Sequence, residues 1–127
     1  MTQDELEVIK LNKNSEIFAA FTSQINGTNT GYLSPSKNIR LNDSIDDFTA
    51  YNLGYQSMLA QGLISRYIRV KEGFISVTAD ELKTILGELV VQGDMLWQKR
   101  EMLFSLVNST TLEEYETDPT CLDKVVW

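Results

Sequence analysis

Carboxylates are the side chains of this chain best suited to chemistry, and they occur in two clusters. They are Asp43, Asp46 and Asp47 in the first cluster and Glu113, Glu114 and Glu116 in the second. A calcium loop needs acidic residues at alternating positions, a glycine and a closing glutamate, and "NDSIDD" lacks that layout. Ser44 followed by Asp47 has instead the spacing of a helix capping box, and aspartates are favoured at the positive end of a helix. We therefore interpret the first cluster as a helix start.

Other catalytic groups are scarce. The chain has no histidine, which is the commonest general base and metal ligand, and a single cysteine, Cys121, so no zinc site of the usual ligand types can form. No glycine-rich phosphate loop is present either. We therefore expect no catalytic residue, no cofactor and no metal, and we interpret the protein as non-enzymatic. An enzyme with a carboxylate site is the remote alternative.

Composition limits the class of partner. The 127 residues are 43% hydrophobic and 23% charged, which fits one globular domain over 1–127, with 117–127 as an apolar C-terminal tail. The net charge of −7 disfavours binding to nucleic acid or a membrane surface. The lone Cys121 fits a reducing cytoplasm, and "MTQDELEVIK" does not have the pattern of a secretory signal.

Periodicity, caps and turn residues predict an α+β fold. It is helix-dominated, with a small β-hairpin packed on two or three helices in the order α-β-α-β-β-α. We expect the second helix to turn Ile45, Phe48, Tyr55 and Leu59 inward. Capping boxes at Thr78 with Glu81 and Thr111 with Glu114 start the long helix and a short terminal one. The main predicted elements are a helix at 4–25, a very short strand at 39–41, a helix at 45–62, a hairpin of 67–70 and 74–77, and a helix at 79–108.

Leucines recur every seventh residue in the long helix, which suggests either a self-association seam or an ordinary buried stripe. They are Leu82, Leu89, Leu96 and Leu103. The partner row of a coiled coil would be broken by Gly93 and Arg100 in one register, or by Gln92 and Lys99 in the other. The intramolecular stripe is therefore favoured. We expect Leu82 to Leu89 to pack on the hairpin and first helix, and Leu96 to Val107 to pack on a partner or on the tail.

Large apolar side chains lie on more than one side of the C-terminal half of this helix. Trp97 follows Leu96 directly and so points about a quarter turn away from it. A single small domain usually covers only one stripe of a helix. We therefore predict a protein interface there, with the "CLDKVVW" tail as the alternative cover. The predicted interface residues are Leu96, Trp97, Leu103, Phe104, Val107 and Trp127.

Several short patterns resemble a small domain of tailed-phage tail-fibre and tail-fibre-assembly proteins, a family of unknown function. They are "EVIKLNKNSEIFAAFTSQINGTNTG", "IRLNDSIDDFTAYNLGYQSML", "ISVTADELKTILGEL" and "REMLFSLVNSTTLEEYE", in that order over Glu7 to Glu116. The second segment is the poorest match. The resemblance implies a part in a phage tail or in fibre folding, and such fibres are generally trimeric.

Together these observations predict a structural component of a phage tail, fibre- or baseplate-associated, that acts by protein–protein contact. Its expected partners are a tail-fibre or baseplate protein and further copies of itself, with a trimer one option. Its expected location is the virion tail, after assembly in the host cytoplasm. One alternative is an assembly chaperone that leaves the particle. Another, suggested by the charge alone, is an acidic inhibitor of a host nucleic-acid-binding protein.

Overall fold

The computed structural model describes all residues from 1 to 127 and has an α+β fold dominated by helices, which confirms the predicted class. Two small antiparallel hairpins interrupt the helices, in the order α-β-β-α-β-β-α, before a short helix and a final 3₁₀ turn. The elements are α1 (Gln3–Ile25), β1 (Tyr32–Leu33), β2 (Arg40–Leu41), α2 (Ile45–Gln61), β3 (Ser65–Val70), β4 (Gly73–Thr78), α3 (Ala79–Asn108), α4 (Leu112–Thr117) and the 3₁₀ helix Cys121–Lys124.

The first hairpin contains one strand more than the sequence predicted. Tyr32 lies opposite Leu41 and Leu33 opposite Arg40, so β1 and β2 each contribute two residues. The turn between them is closed by a hydrogen bond from Ser34 N to the Ile39 carbonyl at 2.9 Å. The additional strand is β1. Its two residues are too few to show an alternation of apolar and polar positions, so the sequence carries no signal for it.

The residues form two compact units. The central unit is Ser23–Asp94, and the terminal unit combines Met1–Thr22 with Met95–Trp127. The prediction of a single domain over 1–127 stays a prediction. The heptad leucines Leu82 and Leu89 belong to the central unit, and Leu96 and Leu103 belong to the terminal unit.

The core of the central unit lies between the second hairpin, α2 and the first half of α3. In the hairpin, Arg66 lies opposite Val77 and Ile68 opposite Ile75. Leu82 and Leu89 are buried in this core as predicted, but the helix packed with them is α2, and α1 contributes no member of the cluster. The buried members are Leu41, Tyr51, Met58, Ile68, Val70, Val77, Leu82, Ile85, Leu86 and Leu89.

Local capping signals place the ends of α2 and the start of α3. The Ser44 hydroxyl accepts a hydrogen bond from Asp47 N at 3.0 Å, and the Asp47 carboxylate accepts one from Ser44 N. Gly62 ends α2 in the left-handed conformation, with φ of 64°. At α3, Glu81 N donates to the Thr78 hydroxyl and Thr78 N donates to the Glu81 carboxylate. The predicted capping boxes of α2 and α3 are therefore confirmed.

The expected inward face of α2 is confirmed for Phe48 and Tyr55, which are partly buried against the central core, and is wrong for Ile45 and Leu59. Tyr51 and Met58 are buried, whereas Ile45 and Leu59 are more than half exposed. Leu59 follows Met58 directly and so lies about 100° around the helix from it. The α2 sequence has apolar residues on two sides, and contact with the hairpin buries the side that carries Tyr51 and Met58.

In the terminal unit, the first half of α1 packs with the end of α3. The Lys10 ammonium group donates to the Asn108 carbonyl at 3.1 Å, and Asn14 Nδ2 donates to Asn108 Oδ1 at 3.0 Å. A cation at this position satisfies a free carbonyl and offsets the negative end of the helix dipole. Lys10 is only 8% exposed, so it is a structural cap. The unit's apolar core is Ile17, Leu103, Val107, Leu122 and Val125.

A buried serine fixes the β1–β2 turn to α3 within the central unit. The Glu88 carboxylate accepts hydrogen bonds from Ser34 Oγ at 2.5 Å and from Ser36 N at 3.0 Å. Burial by itself raises the pKa of Glu88, but the hydrogen bonds from these two serines lower it further than burial raises it, so the net shift is downward. The ionised carboxylate is thus the form that holds the turn.

This shift predicts how stability depends on pH. The pKa of Glu88 is lower in the folded state than in the unfolded state. Ionised Glu88 therefore adds to the free energy of unfolding. This stabilisation is complete above the unfolded-state pKa of about 4.3 and is lost as the pH falls through the folded-state pKa. Glu88→Gln should therefore lower the urea midpoint at pH 7 and lower it less at pH 3. Glu113→Gln, which removes an exposed carboxylate, is the control. An equal loss at both pH values for Glu88→Gln would contradict the assignment.

Candidate protein-contact surface

The structure divides the six predicted interface residues into buried and accessible ones. Leu103 and Val107 are buried in the terminal core, beside Leu122 and Val125 of the C-terminal tail. Leu96, Phe104 and Trp127 are partly buried. Trp97 is the most accessible, with 47% of its surface exposed. The C-terminal tail therefore covers Leu103 and Val107. This is the alternative to a partner protein that the sequence analysis gave for this half of α3.

Arg100 occupies the position that interrupts the apolar row of α3. Its guanidinium carbon lies 3.7 Å from the centre of the Trp97 ring, 4.6 Å from that of Phe21 and 5.6 Å from that of Phe104. The Arg100 side chain is only 12% exposed, and Nη2 bonds the Glu101 carboxylate at 2.7 Å. A guanidinium stacked on aromatic faces can be buried at low cost because the rings attract it electrostatically. The apparent break in the row is thus a packed position.

Lys99 has a similar role at the end of the tail. Its ammonium nitrogen lies 4.5 Å from the centre of the Trp127 ring and donates to the Trp127 carbonyl at 3.1 Å. The Trp127 ring in turn meets Phe21 edge to face, with centroids 5.9 Å apart. Phe21 also contacts Trp97 edge to face at 5.4 Å. These contacts hold the tail on the terminal unit.

A second apolar face of α3 is exposed. We call it the methionine stripe, and it consists of Met95, Gln98, Met102 and Leu106. Met95 is 67% exposed, Met102 57% and Leu106 49%. Steps of three and four residues place these side chains on one side of a helix over about 17 Å. The buried Leu103 lies roughly 100° around the helix from Met102. The stripe is an apolar surface that no other part of the terminal unit covers.

Sequence reasoning missed this stripe although a signal was present. Met95 and Met102 are seven residues apart, the same interval as the leucines. The leucine row dominated the interpretation because leucine is the commoner seam residue. The interface predicted at Trp97 stays a prediction. The structure adds the methionine stripe, which lies on another side of α3.

Helix α1 carries exposed apolar side chains too. Val8, Leu11 and Phe18 are each more than half exposed, and the Phe18 ring lies 6.5 Å from that of the buried Phe21. Val8, Leu11 and Phe18 are three and seven residues apart and so lie on one side of α1.

No group of three or more cysteine, aspartate or glutamate side chains is placed to hold a metal ion. Every helix is too short or too polar to serve as a membrane span. One carboxylate of each cluster bonds to a helix cap: Asp47 accepts from Ser44, and Glu114 Oε1 accepts from the Thr111 hydroxyl at 3.0 Å.

Comparison with known proteins gives no relative. No protein-family model, no curated protein and no solved structure matches this chain.

Proposed function

We propose that the protein is a non-enzymatic component of a phage tail, in a fibre or the baseplate, that works through protein–protein contact. The observation that supports contact is the exposed methionine stripe on α3. The phage-tail context rests on the resemblance of Glu7 to Glu116 to the tail-fibre domain.

The proposed occupant of the stripe is a second copy of the chain. Soluble monomers seldom keep a contiguous apolar patch exposed. Steps of three and four residues are those of a helix–helix seam, and one polar residue such as Gln98 within a seam fixes register at some cost in stability. Methionine fills irregular gaps between helices, because its side chain is unbranched and flexible. A homodimer or trimer through α3 meets these conditions.

Met102→Lys is expected to make an associating protein monomeric without unfolding it. The new charge lies at the centre of the seam in the oligomer but in water in the monomer. Light scattering across a concentration series measures the mass, and circular dichroism checks the fold. The matched control is Val90→Lys, at a residue of the same helix that is 55% exposed on a different side. The seam is excluded if wild-type protein is monomeric at high concentration, or if both variants dissociate alike.

Particle composition tests the phage-tail assignment. Mass spectrometry of purified virions from the phage that encodes the chain should detect it in stoichiometric amount with a fibre or baseplate protein. Its absence from particles, combined with binding to fibre protein in lysates, would favour the chaperone alternative. Salt-sensitive binding to a basic host protein would favour the inhibitor. Either result would overturn the structural assignment.

A further inference from the structure

The chain has four methionines, and the fold places them in three different environments. Met95 and Met102 belong to the methionine stripe, where they are 67% and 57% exposed. Met58 is only 1% exposed, in the core of the central unit. Met1 is 50% exposed at the start of the chain, away from α3 in sequence. Solvent therefore reaches both methionines of the stripe in the free chain but does not reach Met58.

The thioether is the one group of the stripe that an oxidant readily changes. Its sulfur attacks an oxygen of hydrogen peroxide, the O–O bond breaks, and the products are a sulfoxide and water. The sulfur loses an electron pair, the peroxide gains it, and no metal or cofactor takes part. Because the peroxide must reach the sulfur, Met95 and Met102 are the accessible targets on α3, and Met58 is shielded.

Oxidation changes the character of the stripe. A sulfoxide is a polar hydrogen-bond acceptor, whereas the methionine side chain is flexible and apolar. In the free chain the new oxygen is hydrated. Between two helices it loses that water, and Gln98 is the only side chain of the stripe that can donate to it. A buried acceptor without a partner carries its full desolvation cost, so oxidation favours the free chain over the oligomer.

We propose that Met95 and Met102 form a peroxide-sensitive modification site that controls self-association of the chain through α3. The inference rests on the proposed function, because the stripe must first be the seam between copies. The effect works in both directions. Sulfoxides weaken the seam, and a formed seam covers the sulfur atoms and so slows their oxidation.

Cys121 is the other side chain that peroxide attacks readily, and its effect would have the opposite sign. It is partly buried in the terminal unit and has no disulfide partner. A disulfide between the Cys121 residues of two copies would strengthen association, whereas the methionine sulfoxides weaken it. The direction of the change therefore separates the two sites.

The experiment is light scattering of the full chain across a concentration series, before and after mild treatment with hydrogen peroxide. Oxidation is expected to raise the dissociation constant of the oligomer about tenfold or more, since buried acceptors are left unpaired. Peptide mass spectrometry should find the added oxygen on Met95 and Met102 and not on Met58. Treatment with methionine sulfoxide reductases A and B should restore association, and circular dichroism checks that the fold is intact.

Met95→Leu combined with Met102→Leu is the matched variant. Leucine has a similar volume and stays apolar, so the variant should associate about as wild type does and should not respond to peroxide. It keeps Met1, Met58 and Cys121, so any remaining response would come from outside the stripe. Cys121→Ser should respond to peroxide as wild type does.

Protection of the stripe by association is a second measurement. With peroxide in fixed excess, oxidation of Met102 should slow as the chain concentration rises through the range of association. Oxidation of Met1, which lies outside the stripe, should keep the same rate and serves as the reference within each sample.

The inference is overturned if fully oxidised wild-type protein associates as before, or if the double-leucine variant is as sensitive to peroxide as wild type. Either result leaves the seam itself intact. If untreated wild-type protein is monomeric at high concentration, the seam of the proposed function fails and the oxidation site fails with it. The untreated sample alone decides that case, so the two failures are distinguishable.

Discussion

Val125→Asp is expected to destabilise the protein by about 3 kcal/mol, since it places a carboxylate in the apolar core of the terminal unit. Val125 is 8% exposed there, beside Leu103 and Val107. An unpaired charge at this position is costly enough that the tail should leave the core and not bury it. Urea unfolding followed by circular dichroism measures the loss.

Val126→Asp is the matched control for this prediction. The same substitution one residue later changes a side chain that is 61% exposed, so the urea midpoint should move little. Equal losses for the two neighbouring valines would contradict the docked position of the tail.

Release of the tail should also change association. A form that ends at Asp118 loses Leu122, Val125 and Trp127, and so exposes Leu103 and Val107. Light scattering is expected to show that this form associates more strongly than the full chain. If both forms have the same mass at all concentrations, the tail is not the cover for this surface.

Gly31→Ala is expected to cost about 3 kcal/mol, through two effects at one position. The φ of Gly31 is +71°, which alanine adopts only with strain, and a Cβ there would lie 2.1 Å from the Leu41 carbonyl oxygen. Leu41 is fully buried in the central core, so its backbone has no room to retreat. The β1–β2 hairpin would have to separate. Thermal unfolding compared with wild type gives the loss.

Gly62→Ala isolates the first of these effects. Its φ of +64° is close to that of Gly31, but an added Cβ would meet nothing within 4 Å. The expected loss is therefore only about 1 kcal/mol, from the left-handed backbone alone. Similar losses at the two glycines would mean that the contact with Leu41 contributes nothing.

The parts of the fold that the sequence predicts are those set by neighbouring residues. The capping boxes of α2 and α3 were predictable because the bonds join residues three apart. The hairpin of β3 and β4 was predictable from two apolar runs around Gly73. The full burial of Tyr51 and Met58 on α2 was not predictable, since contact with a hairpin later in the chain determines it.

Contacts between residues far apart in the sequence could not be predicted either. Arg100 breaks an apolar pattern in sequence, and only the rings of Phe21 and Trp97 explain how it is buried. Phe21 lies far from Arg100 along the chain, so no local pattern predicts this contact. The close packing of the Arg66 guanidinium on Gly54 was not predictable for a similar reason, because the two residues belong to different elements.

The division of the terminal unit between the two ends of the chain has a consequence for synthesis. Ribosomes deliver residues in order, at about 5–20 per second, so Ser23–Asp94 is complete before Met95 leaves the exit tunnel. The buried face of α1, with Ile17 and Phe21, must wait for partners that include Leu122 and Trp127. Most of the stability of a helix in a protein comes from tertiary packing of its apolar face, and α1 lacks that packing until these partners are made. A nascent chain that stalls before Leu122 would therefore present an unprotected apolar helix, a target for chaperones and proteases.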